Sequence, residues 1–140
     1  MGRVHGKTAV FKIDNSAGTL VDLSTYGDNS ELERTVGLDE ITGFGDTAVK
    51  RIVGLQDGSF TVSGSYDGAA AAIDAHLSGI YALAATQTFE YGPESSTSGL
   101  VKYSGECRLE SYKVTAPVNG RVSWEAKFLL DGAVTRGTWA

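Results

Sequence analysis

The chain has 140 residues, of which 41% are hydrophobic and 21% charged, and its formal net charge is −5. This balance is typical of one globular domain with its own core and excludes an intrinsically disordered chain. The single cysteine, Cys107, excludes an internal disulfide. No run approaches the ~20 apolar residues that span a bilayer, and the N-terminus lacks the apolar segment of a signal peptide, so we expect a protein made in a cytoplasm.

The negative charge is concentrated early in the chain. Between positions 22 and 46 the single base is Arg34, against seven acids: Asp22, Asp28, Glu31, Glu33, Asp39, Glu40 and Asp46. Such a segment repels phosphate, which disfavours a protein that binds nucleic acid tightly or reads its sequence. It remains compatible with a surface that DNA slides past without sticking.

Short alternating segments separated by turn residues occupy the first half of the chain. Residues 7–13 and 19–23 predict an opening hairpin around a turn cluster at 14–18. Residues 24–40 show neither the strand nor the helix period, so we predict a long acidic loop that contacts a partner. Residues 47–55 and 59–66 predict two more strands, the second with a hydroxyl face: Ser59, Thr61, Ser63 and Ser65.

One flanking α-helix is predicted over about residues 69–85. Asp67 stands where the helix N-cap belongs, ahead of a run of alanines. Helical spacing joins five apolar positions into one buried stripe: Ile73, Leu77, Ile80, Tyr81 and Ala84.

The second half returns to alternation, with strands predicted over residues 86–91, 100–109 and 122–130 and a short last segment over 133–139. The alternation slips in phase near Glu110 or Ser111, which predicts a bulge there. Asn119-Gly120 is a strong turn signal. Seven or eight strands and one helix predict a mainly β fold, a β-sandwich or small barrel, in a single domain over residues 1–140.

The residue types and spacings indicate no catalytic, cofactor or metal site. Neither His5 nor His76 has the further ligands that zinc needs, and there is no Gly-x-Ser-x-Gly nucleophile motif. Asp39, Glu40 and Asp46 lack the spacing of a calcium loop, so we interpret them as aspartates and glutamates of turns. We therefore predict a protein that is not an enzyme and binds no cofactor or metal.

Two alternatives stay open on the residues alone. A carbohydrate-binding β-sandwich would use exposed aromatic side chains, for which the candidates are Tyr91, Tyr103, Tyr112 and Trp124. A carboxylate-based hydrolase would need two of the acids to face each other across a cleft.

Several short motifs follow one another in a fixed order. They are Asp39-x-x-Thr42-x-Phe44-Gly45-Asp46, Gly54-Leu55, Gly64-x-Tyr66-Asp67, Tyr91-Gly92-Pro93, Lys102-Tyr103-Ser104-Gly105 and Asp131-Gly132. In this order and spacing the chain, from about residue 6 to residue 139, resembles the phage major tail tube family, the siphophage tail tube subunits.

The resemblance implies a structural virion protein, made in the bacterial host cytoplasm and located in the virion tail. Its subunits would form hexameric rings that stack into a tail tube, a conduit for DNA ejection. Strands of each subunit would join in one inner barrel. The implied partners are other copies of the chain, the tail tip, tape measure and terminator proteins, and passing double-stranded DNA without specific binding. A tail-terminator or a contractile-machine tube subunit of the same fold is the alternative.

The resemblance also implies roles for particular segments. Residues 1–6 and 133–140 would be terminal arms. The ring-stacking loop would carry Asp28, Glu31, Glu33, Arg34, Asp39 and Glu40. Structural motif residues would be Thr42, Phe44, Gly45, Asp46, Gly64, Tyr66 and Asp67. Two strand faces are candidates for the tube lumen: the hydroxyl face over residues 59–65, and the face formed by Lys102, Ser104, Glu106 and Arg108.

Overall fold

The computed structural model describes residues 5–70 and 72–140. These residues form eight strands, one α-helix and two 3₁₀ turns, at Gly6–Thr8 and Ser24–Tyr26. The strands are β1 (Val10–Asp14), β2 (Leu20–Asp22), β3 (Gly27–Glu40), β4 (Arg51–Ser65), β5 (Gln87–Gly92), β6 (Val101–Thr115), β7 (Ser123–Leu130) and β8 (Thr135–Thr138), and the helix is α1 (Ile73–Ile80). The predicted mainly β fold with one helix is confirmed.

All strand pairs are antiparallel, and β6 is shared by two layers. Its second half pairs with β7, which continues to β4 and β3 as the first layer. Its first half pairs with β5 and β8, and β5 continues to β1 and β2 as the second layer. The change of layer occurs at Cys107, which pairs with both Gln87 and Leu130. A strand that passes between layers is one way to build the corner of a β-sandwich.

The core lies between the two layers and is dominated by aromatic rings. Phe60 of the first layer stacks on Phe89 of the second with a centroid distance of 5.4 Å, and contacts Tyr91 at 5.0 Å. Phe11 meets Phe60 edge-on at 6.2 Å. The alternation predicted over residues 122–130 is confirmed, because Trp124, Ala126, Phe128 are all buried. The predicted bulge is confirmed as a register shift between Leu109 and Ser111.

The helix is shorter than predicted at both ends. Ile73, His76, Leu77 and Ile80 are buried against the sandwich, while Tyr81 is 63% exposed and lies beyond the last turn. The prediction of an N-cap at Asp67 is wrong, because its carboxylate accepts the backbone N–H of Ala69 in a local turn. Within the described residues no helix is long and apolar enough to cross a bilayer.

The predicted long loop over residues 24–40 is wrong: after the turn at Ser24–Tyr26, all of the remaining segment is strand β3. Its alternation is hidden because only Gly27, Ser30 and Leu32 are partly covered, and the other residues of the strand are exposed. The two strands predicted at 47–55 and 59–66 are one continuous strand, β4. Residues 51–57 of this strand are exposed, so the sequence pattern does not show that the two parts are joined.

The C-terminal segment forms a strand that pairs with the body of the domain. Residues 135–138 form β8, which pairs with β6, and Trp139 is only 8% exposed. In the single chain this segment packs on the domain, and the prediction of a terminal arm at 133–140 stays a prediction. Of the N-terminal arm, residues 1–4 lie outside the described residues, and Gly6 begins the first 3₁₀ turn.

Candidate functional site: assembly surfaces

A two-stranded extension, here called the hairpin arm (residues 35–57), projects from the first layer. β4 pairs with β7 only from Ser59 to Ser65, whereas its pairing with β3 continues to Arg51. The arm is strongly apolar, with eight large side chains between 41% and 111% exposed: Val36, Leu38, Ile41, Phe44, Val49, Ile52, Val53 and Leu55. Monomeric soluble proteins rarely expose so many large apolar side chains in one short segment, which indicates a binding surface.

The tip of the arm (residues 41–50) is held by its own hydrogen bonds. The backbone N–H of Lys50 donates to Thr42 Oγ1 at 2.9 Å, and the N–H of Gly43 donates to Asp46 Oδ2 at 2.7 Å. Lys50 Nζ lies 3.1 Å from Asp46 Oδ1. The Gly43 hydrogen bond and then Lys50 lower the pKa of Asp46. The interpretation as turn-forming carboxylates is therefore confirmed for Asp46 and wrong for Asp39 and Glu40, which lie in strand β3.

At the centre of this tip, Gly45 has φ +88°, a conformation that side chains rarely adopt. Phe44 beside it is fully exposed. Thus three of the motif residues shape the tip (Thr42, Gly45 and Asp46), while Phe44 is presented to solvent on a preformed loop.

The other motif residues lie at the opposite end of β4. Gly64 packs against the backbone of Tyr26, whose carbonyl oxygen accepts the indole N–H of Trp124 at 3.1 Å. Tyr66 belongs to the partly buried side chains around the core. These contacts give Gly64 and Tyr66 structural roles in the body of the domain.

The outward face of the first layer, here called the hydrophilic face, spans four strands. Paired residues form rows across it, such as Glu31–Thr61–Lys127–Ser111 and Asn29–Ser63–Glu125–Lys113. The hydroxyl face predicted over residues 59–65 is the central strand of this surface, and all of it is at least partly exposed.

The predicted lumen candidates on β6 do not share one layer. Lys102, Ser104 and Glu106 lie in the half of β6 that pairs with β5, where Lys102 is 3.4 Å from Glu90. Glu106 accepts hydrogen bonds from Thr86 and Thr88 at 2.8 and 2.7 Å.

Arg108 lies in the half of β6 that pairs with β7, and its guanidinium contacts Asp131 at 3.2 Å. Of the four candidates, Arg108 alone extends the hydrophilic face. The other three belong to the second layer.

The predicted stacking residues are also separated by the structure. Asp39 and Glu40 lie in the arm, Glu31 and Glu33 lie on the hydrophilic face, and Asp28 is ion-paired with Arg121. Arg34 turns inward, with its guanidinium 5.1 Å from the centre of the Tyr103 ring.

Sequence reasoning missed the apolar side chains of the arm. A signal was present in the sequence, because an apolar pair flanks Gly37 (Val36 and Leu38) and another flanks Gly54 (Val53 and Leu55). These side chains do not alternate with polar ones, as they would in a strand with one face in the core. The sequence predicts a loop over residues 24–40 for the first pair and a strand over residues 47–55 for the second.

The first layer has two edges. Within the described residues, β3 pairs only with β4, and residues 109–115 of β6 pair only with β7. Such edges present unpaired backbone N–H and C=O groups, which are ready to pair with another strand.

The described residues do not form the exposed aromatic row that a carbohydrate-binding β-sandwich needs. Trp124 and Tyr91 are buried, and Tyr103 and Tyr112 are partly buried against the core. No group of three or more His, Cys, Asp or Glu residues among residues 5–70 and 72–140 is placed to hold a metal ion. The buried thiol of Cys107 has its pKa raised to about 12 by burial, which leaves it unreactive.

Comparison with known proteins gives fold relatives and no sequence relatives. No family model and no curated protein matches the chain. A chain of the native gene transfer agent virion matches with TM-score 0.76 and 16% identity over 97% of this chain and 100% of its own length. The SPP1 tail tube matches with TM-score 0.74 and 15% identity, over 97% of this chain and 80% of that chain.

A tube complex of an extracellular contractile injection system matches with TM-score 0.69 and 9% identity, over 97% of this chain and 92% of that one. The two-layered fold is thus one that occurs in tube-forming tail and injection assemblies. This chain has the fold of the SPP1 tail tube over nearly its whole length.

Proposed function

We propose that the chain is a structural virion protein, the subunit of hexameric rings that stack into a phage tail tube and serve as a conduit for DNA ejection, and that it is not an enzyme. The observation that carries the proposal is the agreement with the SPP1 tail tube over 97% of the chain. A match to the tail of a gene transfer agent particle refined with C6 symmetry supports six subunits in a ring.

Ring closure uses the two edges of the first layer. β3 of one subunit pairs with residues 109–115 of β6 in the next, so that six first layers make one continuous barrel. Pairing between subunits removes exposed edges that would otherwise promote aggregation. It also orients every subunit in the same way, which is what a closed cyclic assembly requires.

The hydrophilic face then lines the lumen. Its central residues carry hydroxyl groups, and its charges alternate in sign, with Glu31 and Glu125 beside Lys127 and Lys113. Because these charges balance, the face holds no positive patch that would bind the phosphates of passing DNA. No specific contact with DNA is part of this function.

The hairpin arm stacks the rings. Its apolar side chains project beyond the body of the subunit, where they are buried only when another copy covers them. Tail tip, tape measure and terminator proteins are the partners that this role requires at the two ends and in the bore of the tube.

A second candidate is the tube subunit of a contractile injection machine. The anti-feeding prophage baseplate match, with TM-score 0.75, and the sheath–tube complex favour it. Their sequence identities of 7% and 9% are lower than the 16% and 15% of the gene transfer agent and SPP1 chains. Binding of a sheath protein to the outside of the assembled tube would distinguish this candidate.

Negative-stain electron microscopy of the purified chain at high concentration, with light scattering for mass, tests the proposal. Sixfold rings or hollow tubes are expected. A particle that stays monomeric across protein concentration and salt, and in the presence of preformed tube fragments, would contradict it.

A further inference from the structure

The two free edges of the first layer carry opposite charges on the hydrophilic face. Glu31 and Glu33 lie on this face of β3, and Lys113 lies on it in the free part of β6. All three side chains are exposed. Among residues 5–70 and 72–140, none of the three forms an ion pair. Each edge therefore presents a charge that the single chain does not pair.

An apolar side chain lies next to the charged one on each edge. Val114 follows Lys113 and is the register partner of the buried Trp124, so it lies on the core side of the layer, where it is 45% exposed. Leu32 precedes Glu33 on the same side and is only partly buried. Each edge thus has an apolar side chain towards the core and a charged one on the hydrophilic face.

The direction of pairing between two subunits follows from the sheet. The order β6–β7–β4–β3 contains three antiparallel steps, so β3 runs opposite to β6 within one chain. Rotation about the axis of a ring leaves the strand directions unchanged from one subunit to the next. The β3 strand of one subunit is therefore antiparallel to the β6 strand that it meets.

The register follows from the tilt of strands in a closed barrel. The tilt is about 36°, within the usual range, when the offset summed around the barrel equals the number of strands. Each strand then adds one residue of offset, and the four strands of one first layer add four. The row from Ser111 to Glu31 accordingly meets the next β6 four residues from position 111. Thr115 meets this condition, whereas Cys107, on the other side, is buried and already pairs with Gln87.

We propose that neighbouring subunits pair in this register, with Glu33 of one subunit opposite Lys113 of the next across the hydrophilic face. The inference rests on the proposed function for its closed ring of identical subunits. Antiparallel pairing of Glu31 with Thr115 also brings Leu32 opposite Val114. Opposite charges and apolar pairs that face each other across two strands both stabilise a sheet. Neither match enters the barrel geometry, so the edge side chains support the register independently.

Charge reversal tests the register. A Glu33→Lys subunit carries lysine at both positions, and a Lys113→Glu subunit carries glutamate at both. Alone, each variant places like charges at every contact of the ring, so we expect at least tenfold fewer rings and tubes at low salt than from the unmodified chain. An equimolar mixture should recover assembly, because the two variants can alternate around a ring of six with opposite charges at every contact.

Glu31→Lys is the matched control, since it reverses an exposed acid on the same face of the same strand. Alone it should assemble like the unmodified chain, and it should not recover assembly of Lys113→Glu. Urea denaturation of the three variants checks that each stays folded, and rings are counted by negative-stain electron microscopy.

Full assembly of Glu33→Lys or of Lys113→Glu alone overturns the register. So does a mixture of these two that stays unassembled, or recovery of Lys113→Glu by Glu31→Lys, and each of these results leaves the proposed function standing. Failure of the unmodified chain to form rings or tubes overturns the proposed function itself.

Discussion

Gly64 packs so closely on the backbone carbonyl oxygen of Tyr26 that a Cβ would overlap it, and no side chain fits at position 64. The same carbonyl accepts the indole N–H of Trp124, the register partner of Gly64 on β7. The contacts among these three residues hold the turn before β3 against the first layer. A Cβ at position 64 would push the turn away and leave the buried indole N–H without its acceptor.

Substitution Gly64→Ala is therefore expected to lower the free energy of unfolding by about 1–3 kcal/mol, the usual cost of overpacking. Urea denaturation of the two proteins measures the difference. Gly137→Ala is the matched control, since a Cβ there would meet nothing within 4 Å, and it is expected to change stability by less than ~0.5 kcal/mol. Equal effects of the two substitutions would contradict the close packing of Gly64.

Acid should weaken the fold through His76. The imidazole is 8% exposed, and burial lowers its pKa against the opposing effect of Asp14. The unfolded chain therefore binds a proton at His76 more readily than the folded one, so this contribution to stability is complete above pH ~6.5 and is lost as the pH falls below it. Thermal melts of His76→Gln at pH 7.5 and 5 should show a smaller acid-induced loss than the parent. His5→Gln, at an exposed position, should match the parent.

The body of the fold was predictable because residues of its strands alternate between a buried and an exposed face. In β7 the pattern of Trp124, Ala126 and Phe128 is set by a core that covers one face of the strand, and in β6 the slip of that pattern revealed the bulge. The helix was found from its stripe, but its ends were misplaced because local hydrogen bonding of Asp67 competes with helix capping.

The arm was not predictable by the same reasoning. Leu38 pairs with Val53, and both side chains are more than half exposed in the single chain. Periodicity reports burial within one subunit, so a strand that is exposed on both faces carries no such signal. The resemblance implies a stacking loop over residues 24–40, where the structure has strand β3, and the stacking role itself stays a prediction.

Substitution of Trp139 tests whether the C-terminal segment contributes to the stability of the domain. The ammonium groups of Lys12 and Lys102 lie over its ring, 5.1 and 5.2 Å from the ring centre, and its backbone N–H donates to the carbonyl oxygen of Leu100. Trp139→Ala should therefore lower the free energy of unfolding by about 3 kcal/mol. Trp139→Phe should cost much less, because the buried indole Nε1 has no hydrogen-bond partner among the described residues. An unchanged denaturation midpoint for the alanine variant would indicate a free arm.

Removal of the hairpin arm should separate folding from assembly. Thr35 and Asp57 are register partners, so residues 36–56 can be replaced by an Asn-Gly turn that closes the shortened hairpin.

The removed strands pair only with each other, so the truncated chain should unfold within about 1 kcal/mol of the parent by urea denaturation. Rings should still form, because the edges that close them lie in the body, but electron microscopy should show no stacked tubes. Tubes formed by the truncated chain would exclude the arm as the stacking element. A truncated chain that fails to fold would show instead that the arm stabilises the subunit itself.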